Sequence, residues 1–330
     1  MIEKVSVVIT AHNRKKYLLE AVNSVLHQVN PGVEIEIVVV KNFVDDKIDS
    51  FLMNSGAVNI YTFEESFGSK LSLGINASSG NIICFLDDDD MFNPVKIALI
   101  RKIFDENKGL LFVHNDIQII SEETTWNTAR ANNEEAIKFK VYSSEKLSGR
   151  EWGKILSSRA DWYVSCASMD APFAKSISQI VYQSNRSLDK ILFLLGTGKE
   201  ASFGLCKNRL TMYRKHESIT GLKTDVTDFR NRRLKFTKES IENLRRTFKS
   251  YIKGVNNLPY NYMLLKMEGN LAIYDKYRRG KTFRIMTSEL KHFIRYGGEE
   301  YALLSMLLFL NIFSNRLSIR VFRYIQIRDI

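Results

Sequence analysis

The sequence predicts an α/β fold, with a mostly parallel sheet flanked by helices and an all-helical C-terminal region. Between Lys4 and His114, short β-branched runs alternate with segments whose apolar residues recur at helical spacing. Such alternation is typical of βαβ units, which build parallel sheets. Beyond about Val226 the pattern changes to long helices. We therefore predict two domains, residues 1–225 and residues 226–330.

Five apolar runs predict the strands, at residues 4–10, 34–40, 59–63, 81–86 and 109–114. Four stretches of helical periodicity follow or separate them, at residues 15–28, 46–55, 70–78 and 94–104. We expect Gly80 to cap the third helix at its C-terminus and Pro94 to begin the fourth. Because ligands bind outside the carboxyl ends of parallel strands, the loops after the first, second and fourth strands should meet at one edge of the sheet.

Composition and charge narrow the class of protein. With 330 residues, 45% of them hydrophobic and 26% charged, the chain is neither disordered nor fibrous. Its three cysteines form no CxxC pair, and its first apolar run is too short for a signal peptide, so we expect a cytoplasmic protein. Residues 207–330 hold 26 basic and 11 acidic residues, whereas residues 1–206 hold 22 and 26. The basic part favours anionic partners such as phospholipid surfaces, lipid phosphates or nucleic acid.

Four consecutive aspartates, Asp87 to Asp90, follow the fourth strand without a spacer. A run of charges is ordinarily a solvated loop, but here the like charges are crowded at a sheet edge, which is costly unless a cation binds. Carboxylates separated by one residue suit Mg²⁺ or Mn²⁺ shared with substrate phosphates. We therefore predict a divalent metal site within this run of aspartates.

Two segments, VSVVITAHNR and SGNIICFLDDDDMFNP, resemble the family 2 glycosyltransferases, whose fold is the Rossmann-like GT-A fold. The similarity extends in order and spacing over about residues 4–220. It implies inverting transfer of a sugar from a UDP- or GDP-linked donor to a hydroxyl of a glycan or lipid-linked acceptor. It also implies that Mn²⁺ or Mg²⁺ bridges the donor's two phosphates. By this resemblance Asp87 and Asp89 form the metal-binding pair, with Asp89 as direct ligand and Asp87 on the metal or ribose, while Asp88 and Asp90 support the turn.

The resemblance implies further donor contacts in the loop Thr10–Arg14, namely Thr10, Ala11, Asn13 and Arg14. Two departures from the family pattern leave the nucleotide base open. After the second strand the family carries VVDDGSxD, where this sequence has VVKNF, with Asn42 placed to bond a base and Lys41 to approach a phosphate. The family's ARNxG is KLSLG here, so Lys70 either replaces the phosphate-facing arginine or is an exposed helix lysine.

An inverting transferase needs a carboxylate that takes the proton from the acceptor hydroxyl. The resemblance implies Asp189, which precedes the apolar run ILFLLG, although a carboxylate there also interacts favourably with a helix dipole. Asp161 is the second candidate and Asp170 the third. Trp162 and Tyr163 either stack on the acceptor sugar or are ordinary buried aromatics.

A segment similar to the family's YRxHxxS begins at Tyr213. By this resemblance Arg214 engages the diphosphate and His216 completes the metal or phosphate site. The expected donor-binding residues are Thr10, Ala11, Asn13, Arg14, Asn42, Lys70, Asp87, Asp88 and Arg214. The expected metal-binding residues are Asp87, Asp89 and His216.

The apolar run at residues 302–313 is too short to span a membrane. It predicts either a helix buried against its neighbours or one lying on an anionic membrane, as would suit a lipid-linked acceptor. We thus expect a cytoplasmic protein with peripheral membrane contact through its C-terminal helices. The processive synthases of the family carry a QxxRW motif, and this sequence has none. The resemblance therefore implies addition of one sugar rather than polymerisation.

Three other classes compete with a glycosyltransferase. A sugar nucleotidyltransferase should carry a glycine-rich basic loop after the first strand, where this sequence has AHNR. A non-catalytic nucleotide-sugar-binding protein stays open, because it needs the same donor site. A nucleic-acid-binding protein is not expected, since recognition motifs are missing and the basic region is remote from the aspartates.

Overall fold

The computed structural model describes residues 2–128, 136–215, 226–251, 254, 256–275, 285–288, 290–291, 299–314 and 317–321. The chain divides into two compact units. Residues 1–146 and 161–215 form the first, and residues 147–160 and 216–330 form the second. The predicted boundary at residue 225 falls within residues 216–225, which lie outside the described residues. The short segment 147–160, which we expected in the first domain, groups with the helical unit instead.

The parallel half of the sheet matches the prediction from sequence. Four strands, in the spatial order β3-β2-β1-β4, run parallel to one another. They are β1 (Lys4–Ala11), β2 (Glu34–Lys41), β3 (Val58–Tyr61) and β4 (Ile82–Asp87). β1 and β4 are buried almost throughout, which is why they read as continuous apolar runs. In their register Thr10 lies beside Asp87, so the loops after both strands open at the same edge.

The other half of the sheet is mixed. Among the described residues it contains β5 (Met91–Phe92), β6 (Leu110–Ile120), β7 (Phe139–Ser143), β8 (Ala167–Asp170) and β9 (Ser202–Arg214). β8 lies between β4 and β6 and is antiparallel to both. β9 is parallel to β6 and antiparallel to β5 and β7. The predicted α/β fold is therefore confirmed, and the antiparallel strands are the part that the sequence pattern did not reveal.

Helices flank this sheet, and their apolar faces close its core. They are α1 (Leu18–Leu26), α2 (Asp46–Asn54), α3 (Phe67–Ala77), α4 (Lys96–Glu106), α6 (Ala171–Ser176), α7 (Ser178–Tyr182) and α8 (Leu188–Gly196), while α5 (Gly149–Ser157) belongs to the second unit. The cap expected at Gly80 is wrong, because α3 ends at Ala77 and Ser78 is its C-cap. Gly80 instead packs on β1, where an added Cβ would lie 2.6 Å from the backbone nitrogen of Ser6.

The second unit contains the helices α9 (Val226–Ser250), α10 (Asn257–Tyr274) and α11 (Glu299–Phe313). Its core includes Phe229, Ala272, Leu304, Leu307 and Leu308, all of them buried. One face of the apolar run at 302–313 therefore packs inside the unit. This agrees with the first alternative from the sequence, a helix buried against its neighbours. Met306 and Phe309, on another face of α11, keep 49% and 51% of their surface exposed. Within the described ranges, no helix has both the length and the apolar character needed to cross a membrane.

Candidate active site at the carboxyl edge of the sheet

The four aspartates form a tight turn between β4 and β5. β4 ends at Asp87, and the backbone nitrogen of Asp90 donates to the Asp87 carbonyl at 3.2 Å. Carboxylate oxygens of Asp87, Asp89 and Asp90 all lie within 4.8 Å of one another. The strand thus delivers three acidic groups to one point at the carboxyl edge of the sheet, as its position before the run predicted.

Burial and mutual repulsion make these carboxylates hard to ionise. Burial, reinforced by the charges of Asp89 and Asp90, raises the pKa of Asp87 well above its ordinary range. Burial together with Asp89 raises the pKa of Asp90 to about 7. Burial also raises the pKa of Asp88 to about 6, although Arg14 opposes it. A cation among these groups would offset the repulsion and favour the ionised forms.

The cluster fits a divalent metal ion. Its three carboxylates are hard oxygen donors close enough to share one small cation, the ligand type that Mg²⁺ and Mn²⁺ prefer. Asp90 joins the two ligands predicted from sequence, which had given it only a supporting role. His216, the third predicted ligand, lies outside the described residues and stays a prediction.

Arg14 pairs with two of the aspartates. Its Nη2 and Nε bond the carboxylate of Asp88, the latter at 3.2 Å, and its Nη1 lies 2.7 Å from Oδ2 of Asp89. The predicted donor-binding residues Arg14 and Asp88 therefore contact each other. This ion pair joins the loop after β1 to the aspartate turn after β4.

The loops after β1 and β2 are joined by a reciprocal pair of amides. The backbone nitrogen of Asn13 donates to Oδ1 of Asn42 at 2.9 Å, and Nδ2 of Asn42 donates to Oδ1 of Asn13 at 3.1 Å. Asn13 adopts a left-handed backbone, with φ of 54°, which asparagine tolerates better than most residues. Thr10 and Ala11 were also predicted to contact the donor. Both are buried at the end of β1, beneath the loop.

The two lysines predicted from sequence to lie near the phosphates, Lys41 and Lys70, are both buried. Nζ of Lys41 donates to the Phe43 carbonyl and pairs with Asp49, each at 2.7 Å, which fixes the loop after β2. Lys70 is completely buried, so the alternative of an exposed helix lysine is wrong. Its Nζ lies 3.1 Å from Nδ1 of His12 and donates to the carbonyls of residues 64 and 65 at 2.9 and 3.0 Å. Burial lowers the pKa of Lys70.

Arg214 braces the aspartate turn from β9. Its Nε donates to the Asp89 carbonyl at 2.9 Å, and its backbone nitrogen donates to Oδ1 of Asp90 at 3.1 Å. Its Nη1 donates to carbonyls of the loop at residues 121–124, at 2.6 to 3.0 Å. The guanidinium lies over the ring of Tyr17, 4.6 Å from its centroid. The contacts observed for Arg214 thus stabilise the turn, and its role toward a diphosphate stays a prediction.

The first two candidate bases share one ammonium group. Nζ of Lys190 lies 3.5 Å from Oδ2 of Asp189 and 3.3 Å from Oδ2 of Asp161. The Asp189 side chain is 26% exposed and that of Asp161 only 4%. Burial raises the pKa of Asp189, which makes it a better proton acceptor. Of the two, Asp189 has the greater access to an incoming acceptor.

The third candidate base lies at the other end of β4. Asp170 pairs with Ile82, the first residue of that strand, and its carboxylate caps α6 by accepting from the Phe173 nitrogen at 3.0 Å. Ile82 and Asp87 lie five residue steps apart along the strand, or about 16 Å. Asp170 is a helix cap, and it was wrong to rank it as a base.

A row of aromatic rings extends away from the aspartates. The ring centroid of Tyr163 lies 4.6 Å from that of Tyr213 and 5.9 Å from that of Trp162. Burial, with the nearby charge of Asp90, raises the pKa of Tyr213. Tyr163 has a φ of 63°, a backbone strain that costs about 1–3 kcal/mol and concentrates at functional sites. Sequence reasoning missed Tyr213, although it opens the motif that singled out Arg214.

Trp162 links the aromatic row to the candidate bases. Nζ of Lys190, which holds both candidate bases, lies 5.4 Å from the Trp162 ring. The Trp162 carbonyl lies 2.6 Å from Nε2 of His114, a buried histidine of β6. The aromatic row therefore connects the acidic turn to the carboxylate proposed as base.

A Rossmann-like sheet with an acidic turn at its carboxyl edge is the arrangement expected of the GT-A fold. Residues 6–159 of the chain match the model of glycosyl transferase family 2. This match agrees with the resemblance that the two sequence motifs carry.

The sequence relatives are named only as uncharacterized glycosyltransferases. One from Rickettsia bellii is 34% identical over 123 residues, which is 36% of this chain and 18% of the relative. One from Rickettsia felis is 32% identical over 123 residues, and the chain spans 20% of its length. One from Haemophilus influenzae is 21% identical over 262 residues, or 78% of this chain and 81% of the relative.

Two solved structures share the fold. The crystal structure of S. aureus TarS 1–349 aligns with a TM-score of 0.56 at 14% identity, covering 97% of this chain and 91% of that one. Its complex with UDP-GlcNAc aligns with a TM-score of 0.53 at 16% identity, covering 97% and 92%. At such low identity the likeness shows the fold alone.

The raised pKa of Asp90 has a consequence for stability. When unfolded, this carboxyl has its ordinary pKa of 3.8, whereas in the folded protein the pKa is about 7. Between these values the folded state keeps a proton that the unfolded state releases, so this group's contribution to the free energy of unfolding falls as pH rises from about 4 to 7. We expect wild type to lose stability relative to Asp90→Asn over that range in EDTA. Urea unfolding of both proteins at pH 4.5, 6 and 7.5 measures this, and a constant difference would contradict it.

Proposed function

We propose that the chain moves one sugar, with inversion, from a UDP- or GDP-linked donor to a hydroxyl of a glycan or lipid-linked acceptor. The proposal is carried by the three carboxylates gathered at the carboxyl edge of a family 2 domain. The TarS structure with UDP-GlcNAc supports trying a UDP-linked donor first, since that protein shares the fold.

We assign the metal to Asp87, Asp89 and Asp90, with His216 as a further predicted ligand. A divalent cation held there would stabilise the charge that develops on the departing diphosphate. The residues around the turn fix its carboxylates: Arg14 holds Asp88 and Asp89 through its guanidinium. The loop Thr10–Arg14, with Asn42, would contact the nucleoside, and Lys70 and Arg214 would lie toward the phosphates.

The proposed base is Asp189. It would take the proton from the acceptor hydroxyl while that oxygen attacks the anomeric carbon opposite the leaving diphosphate, which inverts the configuration. Burial keeps the pKa of Asp189 raised, while Lys190 holds the carboxylate in place. The rings of Trp162, Tyr163 and Tyr213 would provide apolar faces for a sugar between the base and the aspartate turn.

Nucleotide binding tests the donor site directly. We expect UDP or GDP to bind at least about 10-fold more tightly with Mn²⁺ than in EDTA, because the cation links the aspartate turn to the diphosphate. Asp89→Asn should abolish this gain, and Asp170→Asn should keep it, since Asp170 lies at the other end of β4. Isothermal titration calorimetry measures all three. Failure of wild type to bind either nucleotide, with or without metal, would refute the proposed function.

Transfer tests the base. Asp189→Asn should lower kcat by about 10²- to 10⁴-fold, the usual range for loss of a general base. Binding of the donor nucleotide and Mn²⁺ should stay unchanged in this variant. Sugar transfer from the donor identified by titration to a panel of glycan and lipid-linked acceptors measures the loss. Normal transfer by Asp189→Asn would assign the base elsewhere, with Asp161→Asn as the next variant. Binding without transfer by wild type would favour the non-catalytic alternative.

We further propose that the second unit contacts an anionic membrane surface peripherally. α9 exposes Lys235, Lys238, Arg245 and Lys249, with Phe236 exposed among them. Exposed basic residues with an apolar side chain between them suit an anionic lipid surface. Such contact would bring the enzyme to a lipid-linked acceptor.

Vesicle binding tests this contact. We expect sedimentation with vesicles containing 30% phosphatidylserine but not with pure phosphatidylcholine, and weaker sedimentation at 0.5 M salt because screening shortens the attraction. Lys238→Gln with Lys249→Gln should weaken binding by about 30-fold, because each of the two charges contributes about 1 kcal/mol near the surface. Lys146→Gln with Lys199→Gln, two exposed lysines of the first unit, is the control with equal charge change. Equal losses in both pairs would contradict a specific role for α9.

A further inference from the structure

A lysine lies buried beneath the aspartate turn. Lys96, the first residue of α4, is completely buried. Its Nζ donates to the Ser165 carbonyl at 2.6 Å and to Oγ1 of Thr211 at 3.0 Å, and it lies 3.8 Å from the centroid of the Phe92 ring. A buried ammonium costs several kcal/mol unless its surroundings compensate. Burial accordingly lowers the pKa of Lys96 to about 8.

The residue that Lys96 holds is bonded to both ends of the aspartate turn. The hydroxyl of Ser165 donates to Oδ2 of Asp90 at 2.7 Å and accepts from the backbone nitrogen of Asp87 at 3.0 Å. Ser165 is itself completely buried, within the short 3₁₀ turn Val164–Cys166. One hydroxyl therefore fixes the distance between the first and last members of the acidic run.

The path from Lys96 to the carboxylate is short and polar throughout. The ammonium bonds the Ser165 carbonyl, and the Ser165 hydroxyl bonds Asp90. The Thr211 hydroxyl also donates to the Ser165 carbonyl at 2.9 Å, and it accepts a hydrogen bond from Nδ2 of Asn115 at 2.9 Å. A hydrogen bond from a charged donor is stronger than one from a neutral donor, so the ammonium gives this carbonyl its strongest contact.

We propose that Lys96 is a positioning residue that fixes Asp90, through Ser165, in the orientation in which it joins Asp87 and Asp89 around a divalent cation. The inference rests on the metal site of the proposed function. Lys96 does not contact the cation's ligands directly, and it acts by holding the backbone from which the Ser165 hydroxyl projects. Partners that orient metal ligands in this way typically contribute 10- to 100-fold in metal affinity.

Binding of Mn²⁺ alone, followed by electron paramagnetic resonance, tests this role without any substrate. We expect Lys96→Met and Ser165→Ala each to weaken Mn²⁺ binding by about 10- to 100-fold. Methionine has a similar length without the charge, and in this variant the Ser165 carbonyl keeps the Thr211 hydroxyl as a donor, so it is not left without a hydrogen bond. Lys102→Met, on an exposed position of α4, is the matched control and should bind Mn²⁺ like wild type.

The double variant separates a shared path from general damage. If Lys96 acts through Ser165, the double variant Lys96→Met, Ser165→Ala should bind Mn²⁺ no more weakly than Ser165→Ala alone, because the two changes break one connection. UDP binding in EDTA should be equal in wild type and variants, which a merely destabilised domain would not show. Should Lys96→Met fail to fold, Ser165→Ala and Thr211→Val carry the test, with a smaller loss expected for Thr211→Val.

Two results would overturn the inference while leaving the proposed function intact. One is wild-type Mn²⁺ affinity in Lys96→Met, or in Ser165→Ala when Lys96→Met does not fold. The other is a double variant whose losses multiply, which would show that the two residues act independently. If wild type itself binds no Mn²⁺, with or without UDP, then the metal site fails and the role of Lys96 fails with it.

Discussion

Repulsion among four carboxylates in one short turn is the constraint that organises this site. The turn is buried with the strand before it, so water cannot fully solvate the carboxylates. The pKa of Asp88 and of Asp90 rises as a result. The surrounding contacts oppose the repulsion in different ways: Arg14 supplies positive charge, while a serine hydroxyl and the Arg214 backbone nitrogen supply donors to Asp90. The neutralisation is partial, which leaves the turn suited to a cation.

The mixed topology explains why these donors arrive from distant parts of the chain. β8 runs antiparallel beside β4, so the 3₁₀ turn that precedes β8 lies next to the end of β4. β9 pairs with β5 and brings Tyr213 and Arg214 to the aspartates. The parallel half thus contributes the loops proposed for the nucleotide. The antiparallel half contributes the residues that fix the turn, and the aromatic row starts there.

Much of this arrangement could be predicted from local patterns. Strand runs, helical periodicity and the position of the aspartates located the parallel half and its carboxyl edge. Arg14, Asn13 and Asn42 lie at that edge because each directly follows a recognisable strand. The sequence did not show that the Asp90 carboxylate lies beside that of Asp87, because the two meet only when the turn closes.

The rest depended on contacts between residues far apart in the sequence. Ser165 and Asp90 are separated by 75 positions, and Lys96 and Thr211 by 115, so no local pattern connects them. Burial of Lys70 was equally invisible, because the carbonyls and the histidine that surround its ammonium belong to loops without periodicity. Asp170 was misplaced since the direction of β8 could not be read from four residues.

The length of the aspartate turn has a consequence for protein engineering. Only residues 88–90 separate β4 from β5, and each strand is held in register by a different neighbour, β1 and β9. Side chains alternate between the two faces of a sheet, so inserting or deleting one residue here would reverse the faces of one strand against the other. Redesign of donor choice should therefore keep this loop at its native length and vary the amide pair Asn13 and Asn42, which neither strand constrains.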